Sequence, residues 1–367
     1  MTRPGGVEIV TTMRSWAGGA ACAALIGAAG VRAQVPPGHD FVMRDFHFAS
    51  GETLPELRLH YRTFGTIRRN GAGQVVNAVL IMHGTGGDGT QFIRPEFSGE
   101  LFGAGQTLDT AHYFIILPDD IGHGGSSKPS DGMKAAFPHY AYADMVVTEH
   151  ALVTDGLHVN HLRLVMGTSM GCMHSWMWAE QYPTFMDGLM PLACAPTQIA
   201  GRNRMWRDMA MDDIRDDPAW NSGNYQTQPA GLAAALRIEL LVTSNPVQYQ
   251  RNGPTRDSAD HFLESRLRTL SASADANDFL YQLASSRDYD PSAHLEQIVV
   301  PVLAINSADD VINPPELGLM ERLIPRVVHA RYVLLPLSDA TRGHGTHTMA
   351  AVWKSYLETF LASLPAR

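Results

Sequence analysis

Cysteine is nearly absent from this chain. Three residues, Cys22, Cys172 and Cys194, occur in 367, too few for a disulfide scaffold or a four-cysteine zinc site. Charge is sparse too, at 18% of residues beside 45% hydrophobic. That balance excludes a disordered chain and leaves a globular one. What charge there is runs acidic: 28 Lys and Arg against 37 Asp and Glu give −9. Basic runs are missing, so nucleic acid, which is bound through Lys and Arg on phosphates, is not an expected partner. No stretch reaches the ~20 apolar residues of a bilayer span, so no stable membrane insertion is expected. There is no internal repeat. The length suits one large domain, or one domain with a substantial insertion.

The N-terminus reads as a secretory signal. Arg14 precedes the small, apolar run Ala17 to Val31, and Val31-Arg32-Ala33 fits an A-x-A-like cleavage site before Gln34. Residues 1–33 are therefore expected to be removed, with Met13 an alternative start, and the mature protein to be periplasmic or secreted. A disordered Ala-rich arm is the competing reading. Cleavage removes Cys22 and leaves Cys172 and Cys194 either as two buried thiols or as one disulfide.

Past the signal, short apolar runs alternate with helical patterns. Strands are expected at 77–83, 112–118, 162–167, 187–193, 299–306 and 331–337, with helices at 142–157, 170–181 and 348–364. Such alternation implies a parallel sheet covered on both faces. Two runs without a helix between them, 41–48 and 56–64, look like an antiparallel pair that opens the sheet. From about Ala195 to Pro291 the strand signals vanish and helical stretches take over (231–243, 259–270, 274–284). The expected division is a core over 34–194 and 292–367, interrupted by a helical lid over 195–291.

Four loops carry residues suited to chemistry. Gly167-Thr168-Ser169-Met170-Gly171 follows an apolar strand and opens a helix, the strand-turn-helix setting that G-x-S-x-G needs to present a nucleophile. The flanking glycines leave room for the tight turn. His83-Gly84-Thr85-Gly86-Gly87 ends an earlier strand and suits an oxyanion hole made by the N–H groups of Thr85 and Met170. A phosphate loop is the rival there, but no G-x-x-x-x-G-K-[ST] is present. His83 is expected to support the loop rather than react. Asp309-Asp310 follows the strand ending at Asn306, where a triad needs an acid. Asp310 is preferred, four residues before a proline, with Asp309 capping or solvating the loop. Gly343-His344-Gly345-Thr346-His347 supplies the base, His344, with His347 as rival. The order Ser169, Asp310, His344 is that of the α/β-hydrolases. The His344/His347 spacing also suggests a metal, but no cysteine or carboxylate cluster joins it, so no metal and no cofactor is expected. Asp119-Asp120-Ile121-Gly122-His123-Gly124-Gly125-Ser126 reads as a structural D-x-x-G-x-G-x-S loop, too weak to suggest a dinucleotide.

Together these segments resemble the homoserine O-acetyltransferase family of α/β-hydrolases over roughly Phe41 to Leu361. Besides the loops above, the resemblance is carried by Asp144-Met145-Val146, Trp178-Ala179, Tyr182-Pro183, Gly231-Leu232, Asp275-Ala276-Asn277 and Leu280-Tyr281. It implies an α/β-hydrolase fold with a mostly parallel sheet, acylation of Ser169, and a helical lid that often also forms a homodimer. Two departures matter. The family's acetyltransferases place an Asp after the catalytic His to hold the substrate amine; here it is Gly345. They place an Arg after Gly-Leu-x-x-Ala to hold the substrate carboxylate; here it is Leu236, with Arg237 one step on, about 100° round a helix. A zwitterionic amino acid would lack both charge partners. The expected activity is hydrolysis of a small-molecule carboxylic ester by an exported serine esterase, with O-acyl transfer to an alcohol as the alternative. An uncharged ester is expected to outperform homoserine. Met205, Trp206, Met209 and Met211 suggest an apolar channel, or simply lid core.

Overall fold

The computed structural model describes residues 35–366; the expected signal, with Cys22, lies outside them. Its strands are β1 (His39–His47), β2 (Thr53–Phe64), β3 (Ala78–Met82), β4 (Phe114–Pro118), β5 (Leu164–Thr168), β6 (Leu189–Leu192), β7 (Val302–Ser307) and β8 (Ala330–Leu335). They form one sheet in the order β1-β2-β4-β3-β5-β6-β7-β8. β2 is antiparallel to both neighbours, and every pairing from β4 onward is parallel. Each strand expected from the pattern of apolar runs is present, with ends shifted by a few residues.

The helices are α1 (Ser98–Leu101), α2 (Tyr142–Ala151), α3 (Met170–Gln181), α4 (Gly201–Arg215), α5 (Ala230–Val242), α6 (Pro246–Asn252), α7 (Arg256–Ser271), α8 (Ala276–Ala284), α9 (Leu319–Leu323) and α10 (Ala350–Ser363). They cover both faces of the sheet. Because side chains alternate along a strand, Leu80, Met82 and Val165 join one core with Trp176 and Trp178 of α3. Val79, Ile81, Leu164 and Met166 join the other with Phe97 and with Trp353 and Leu357 of α10. A strand covered on both faces has no polar side, which is why β3, β4 and β5 read as unbroken apolar runs. Buried residues occur on every side of α3, which therefore lacks the usual polar stripe.

Between β6 and β7 the described residues hold α4 to α8 and no strand. α4, not singled out from sequence, buries Trp206, Ala210, Met211 and Ile214, the spacing of one helical face. Met205 and Met209 point the other way and are exposed, so the apolar group read as one set is split between the two sides of the helix. α6 was likewise not anticipated. Among the described residues no helix is long and apolar enough to cross a membrane.

Candidate active site

Ser169 stands between β5 and α3 with φ 54° and ψ −105°, a positive φ that is strained for a residue bearing a side chain. The surroundings hold it there. A Cβ on Gly167 would lie 2.1 Å from the carbonyl oxygen of Gly171, and a Cβ on Gly171 would lie 2.1 Å from that of Met82. Both contacts are with backbone, so neither position tolerates a side chain, and the two glycines are what let the chain turn this sharply.

Two other loops converge on Ser169 from the same edge of the sheet. His344 Nε2 lies 2.8 Å from Ser169 Oγ, and its Nδ1 lies 2.9 Å from Asp310 Oδ2. Asp310 Oδ1 accepts the N–H groups of Ile312 and Asn313 at 2.8 and 3.0 Å. The Asn313 side chain donates to the Ala193 carbonyl at 2.8 Å, tying this loop to the end of β6. Burial pushes the Asp310 carboxyl up, but the His344 imidazole and the two N–H donors outweigh it and hold it below the usual carboxylate range.

The rivals have other work. Asp309 accepts the Gly343 N–H at 3.0 Å and hydrogen bonds from Asn245 and Ser307, so it anchors the loop that carries His344. His347 packs edge-on against His344 with ring centroids 5.0 Å apart. Its Nδ1 is buried without a partner, and burial pushes its pKa down to about 3.

The Gly-rich loop after β3 faces Ser169. Gly171 N donates to the His83 carbonyl at 2.8 Å, locking elbow and loop together. Met170 opens α3, so its N–H has no intrahelical acceptor. Thr85 and Ser169 line one cavity. His83 is fully buried and bridges two loops: Nδ1 meets the Gly84 carbonyl at 2.8 Å and Nε2 accepts the Asp120 N–H at 3.1 Å. Asp119 accepts the N–H groups of Gly89 and Gly125, each at 2.8 Å, and Ser126 accepts that of His60 at 2.8 Å, so both are structural.

A model of the alpha/beta hydrolase fold matches residues 77–336. The chain belongs to that family. A probable acyltransferase of Methanothermobacter thermautotrophicus is 29% identical over 314 residues, covering 84% of this chain and 92% of that protein. The crystal structure of homoserine O-acetyltransferase from Bacillus anthracis superimposes with a TM-score of 0.78 at 21% identity, covering 91% of this chain and 99% of the other. Esterase E22 gives the same TM-score and identity, covering 89% and 99%. At these identities the two structures speak to the fold.

Two features of this α/β-hydrolase were not legible in the sequence, and a third is one of two alternatives the sequence leaves open. First, the cavity at Ser169, about 300 Å³, is lined by charged groups of the helical segment, Arg207 and Glu239, as well as by Asp88 and Arg94. Leu236 is not among its lining residues; it is buried and faces a second cavity, where Glu239 also stands. Arg237 is exposed. The cavity thus lacks charge at the two positions the acetyltransferase pattern uses, yet carries it elsewhere. Second, an acidic cluster lies buried beneath α3. Glu149 meets His174 Nδ1 at 2.8 Å and accepts Trp178 Nε1 at 2.5 Å, and Asp120 Oδ2 stands 3.7 Å from the same His174 nitrogen. Burial, reinforced by the Glu149 charge, pushes Asp120 up to about 8, and burial pushes Glu149 up to about 7. Ligand atoms of Asp120, Glu149 and His174 lie within 4.8 Å of one another, the one grouping among the described residues with metal-binding spacing. None of the three lines the cavity at Ser169. Third, Cys172 and Cys194 form a disulfide, joining α3 to the segment after β6.

Proposed function

We propose that this chain is an exported serine hydrolase that cleaves carboxylic esters. The observation that carries the reading is the hydrogen-bonded line Asp310–His344–Ser169, which ends at the cavity wall. With its proton on Nδ1, His344 takes the Ser169 proton at Nε2 as Oγ bonds to the ester carbonyl carbon. The carbonyl oxygen becomes an oxyanion and accepts hydrogen bonds from the N–H groups of Thr85 and Met170. Asp310 stays ionised and stabilises the imidazolium. Collapse breaks the bond to the alcohol oxygen, and the alcohol leaves with the Nε2 proton. Water then attacks the acyl-enzyme as His344 removes its proton; the acid departs and Ser169 regains its hydrogen.

Water is favoured over an amino-acid acceptor because Gly345 offers no side chain to the cavity and Leu236 lies outside its lining. Export is supported by the Cys172–Cys194 bond, since disulfides persist in oxidising compartments. The second reading, O-acyl transfer to an alcohol, is supported by the similarity to the probable acyltransferase of Methanothermobacter and the homoserine O-acetyltransferase of Bacillus. The two readings differ only in the nucleophile that deacylates Ser169. The test is a panel of short-chain acyl esters, run beside homoserine with acetyl-CoA and with Ser169→Ala as control. Ser169-dependent ester hydrolysis with negligible homoserine acetylation is expected. Saturable acetylation of homoserine at a rate above hydrolysis overturns the hydrolase reading in favour of the transferase.

A further inference from the structure

We infer that Arg207 is an anion anchor of the catalytic cavity and that the ester cleaved there carries a carboxylate. The inference rests on the hydrolase reading above and adds the charge of the substrate. Arg207 comes from α4 and is 2% exposed, yet it lines the same cavity as Ser169 and His344. Its stem is fixed: Nε donates to Asn203 Oδ1 at 3.2 Å, and the guanidinium carbon lies 4.9 Å from the Trp206 ring centroid. Its Nη1 is buried with no hydrogen-bond partner.

Arginine stays charged at every working pH, so an unfilled donor of this kind cannot be silenced by losing a proton. A buried guanidinium short of partners is costly, and its planar fork matches a carboxylate. The protein does not supply that carboxylate. Glu239 and Asp88 are the acids that share the cavity, but no ion pair of 4.0 Å or less joins either of them to Arg207. Burial pushes the Glu239 carboxyl up to about 7 despite the attraction of Arg207. Tyr142 attracts Arg207 by charge and through its side-chain hydroxyl, and Arg204 repels it; neither brings a carboxylate. A carboxylate on the bound ester fills the open donor and supplies the missing charge.

The test compares matched ester pairs on the mature protein. In 3-acetoxybenzoate against 3-acetoxybenzamide, the charge is on the alcohol side; in monomethyl succinate against methyl succinamate, it is on the acyl side. In at least one pair, kcat/KM should favour the carboxylate by about tenfold or more. The pair that responds tells which side of the scissile bond Arg207 serves. Arg207→Met should reduce that preference on the order of 100-fold, and Arg207→Lys should retain part of it. Should Arg207→Met not fold, the wild-type protein decides alone: benzoate should slow fluorophosphonate labelling of Ser169 at concentrations where benzamide does not. A preference for the neutral member in both pairs, an unchanged ratio in folded Arg207→Met, or equal protection by benzoate and benzamide overturns the anchor. If no ester is cleaved while benzoate still protects selectively, the hydrolase reading fails and the anchor stands.

Discussion

Asp309 and Asp310 are adjacent in the chain and grip the same loop by different atoms. Asp310 meets the Nδ1 of His344 at 2.9 Å, while Asp309 takes the N–H of Gly343 at 3.0 Å. One orients the imidazole; the other fixes the backbone that carries it. Asp310→Asn cannot accept Nδ1–H through its amide nitrogen and favours the wrong imidazole tautomer. It should lower kcat by about 10⁴-fold with little loss of stability. Asp309→Asn should leave kcat within about tenfold but lower the melting temperature, since a buried backbone donor loses a charged acceptor. Steady-state kinetics and calorimetry on both variants check this; reversed kinetic effects would reassign the acid.

In the proposed mechanism Ser169 and His344 act as one unit. Ser169→Ala and His344→Ala should each cost about as much activity as the double variant, because either loss leaves only the oxyanion hole and binding. His347 touches the ring of His344 but is aligned with neither Ser169 nor Asp310. His347→Ala should therefore cost stability through an edge-on packing contact and a cavity, with a far smaller loss of kcat. Additive losses of Ser169 and His344 on a logarithmic scale would count against the shared role.

The parallel part of the sheet was readable because its strands are short apolar runs that alternate with helical patterns; Gly167 and Gly171 even announce where the backbone must pass close to other backbone. Arg207 and Glu239 gave no such signal. They sit on helices whose inward face is decided by packing against the core, and local periodicity does not tell a cavity wall from a solvated face. Asp120, Glu149 and His174 are spread over more than fifty residues on a loop and two helices, and only the fold brings them together. Cys172 and Cys194 posed a different problem: spacing alone does not reveal that the end of α3 nearest Ser169 lies beside the residue just beyond β6.

That buried cluster sets a pH dependence of stability. Unfolded Asp and Glu titrate near ~4, whereas Asp120 and Glu149 are raised to about 8 and about 7 in the native protein. The native state therefore holds protons that the unfolded state releases. Their contribution is fully present below pH ~4 and is lost as pH rises through the two native values. His347 works on the acid side. Its native pKa is depressed to about 3 from 6.5, so its contribution is present above 6.5 and is lost as pH falls towards 3. Urea midpoints should thus fall as pH rises from about 5 to about 8 and again as pH drops below about 4, and Asp120→Asn should flatten the fall on the alkaline side. An unchanged alkaline slope in a folded Asp120→Asn protein would remove the cluster as its cause.

The disulfide offers the last prediction. Cys172 is three residues past Ser169 in α3, and Cys194, 22 residues further along the chain, lies just beyond the end of β6. A closed loop of that size restricts the unfolded chain by about 3 kcal/mol in the chain-entropy account. For a domain of this size, that corresponds to a fall in melting temperature of roughly 4–5 °C. Dithiothreitol should lower the melting temperature of the wild-type protein by that amount and leave the Cys172→Ala, Cys194→Ala double variant unaffected. Activity at 25 °C should survive reduction, because Ser169 is held by backbone contacts at Gly167 and Gly171 and by the hydrogen bond from Gly171 N to the His83 carbonyl, none of which involves sulfur. The same measurement bears on location. A protein that needs this bond at its working temperature gains it in an oxidising compartment and forfeits it in a reducing one. Mature protein recovered outside the cytoplasm should therefore carry the Cys172–Cys194 bond and begin at Gln34 by mass spectrometry. Free thiols on a cytoplasmic protein that retains its first 33 residues would overturn the export reading.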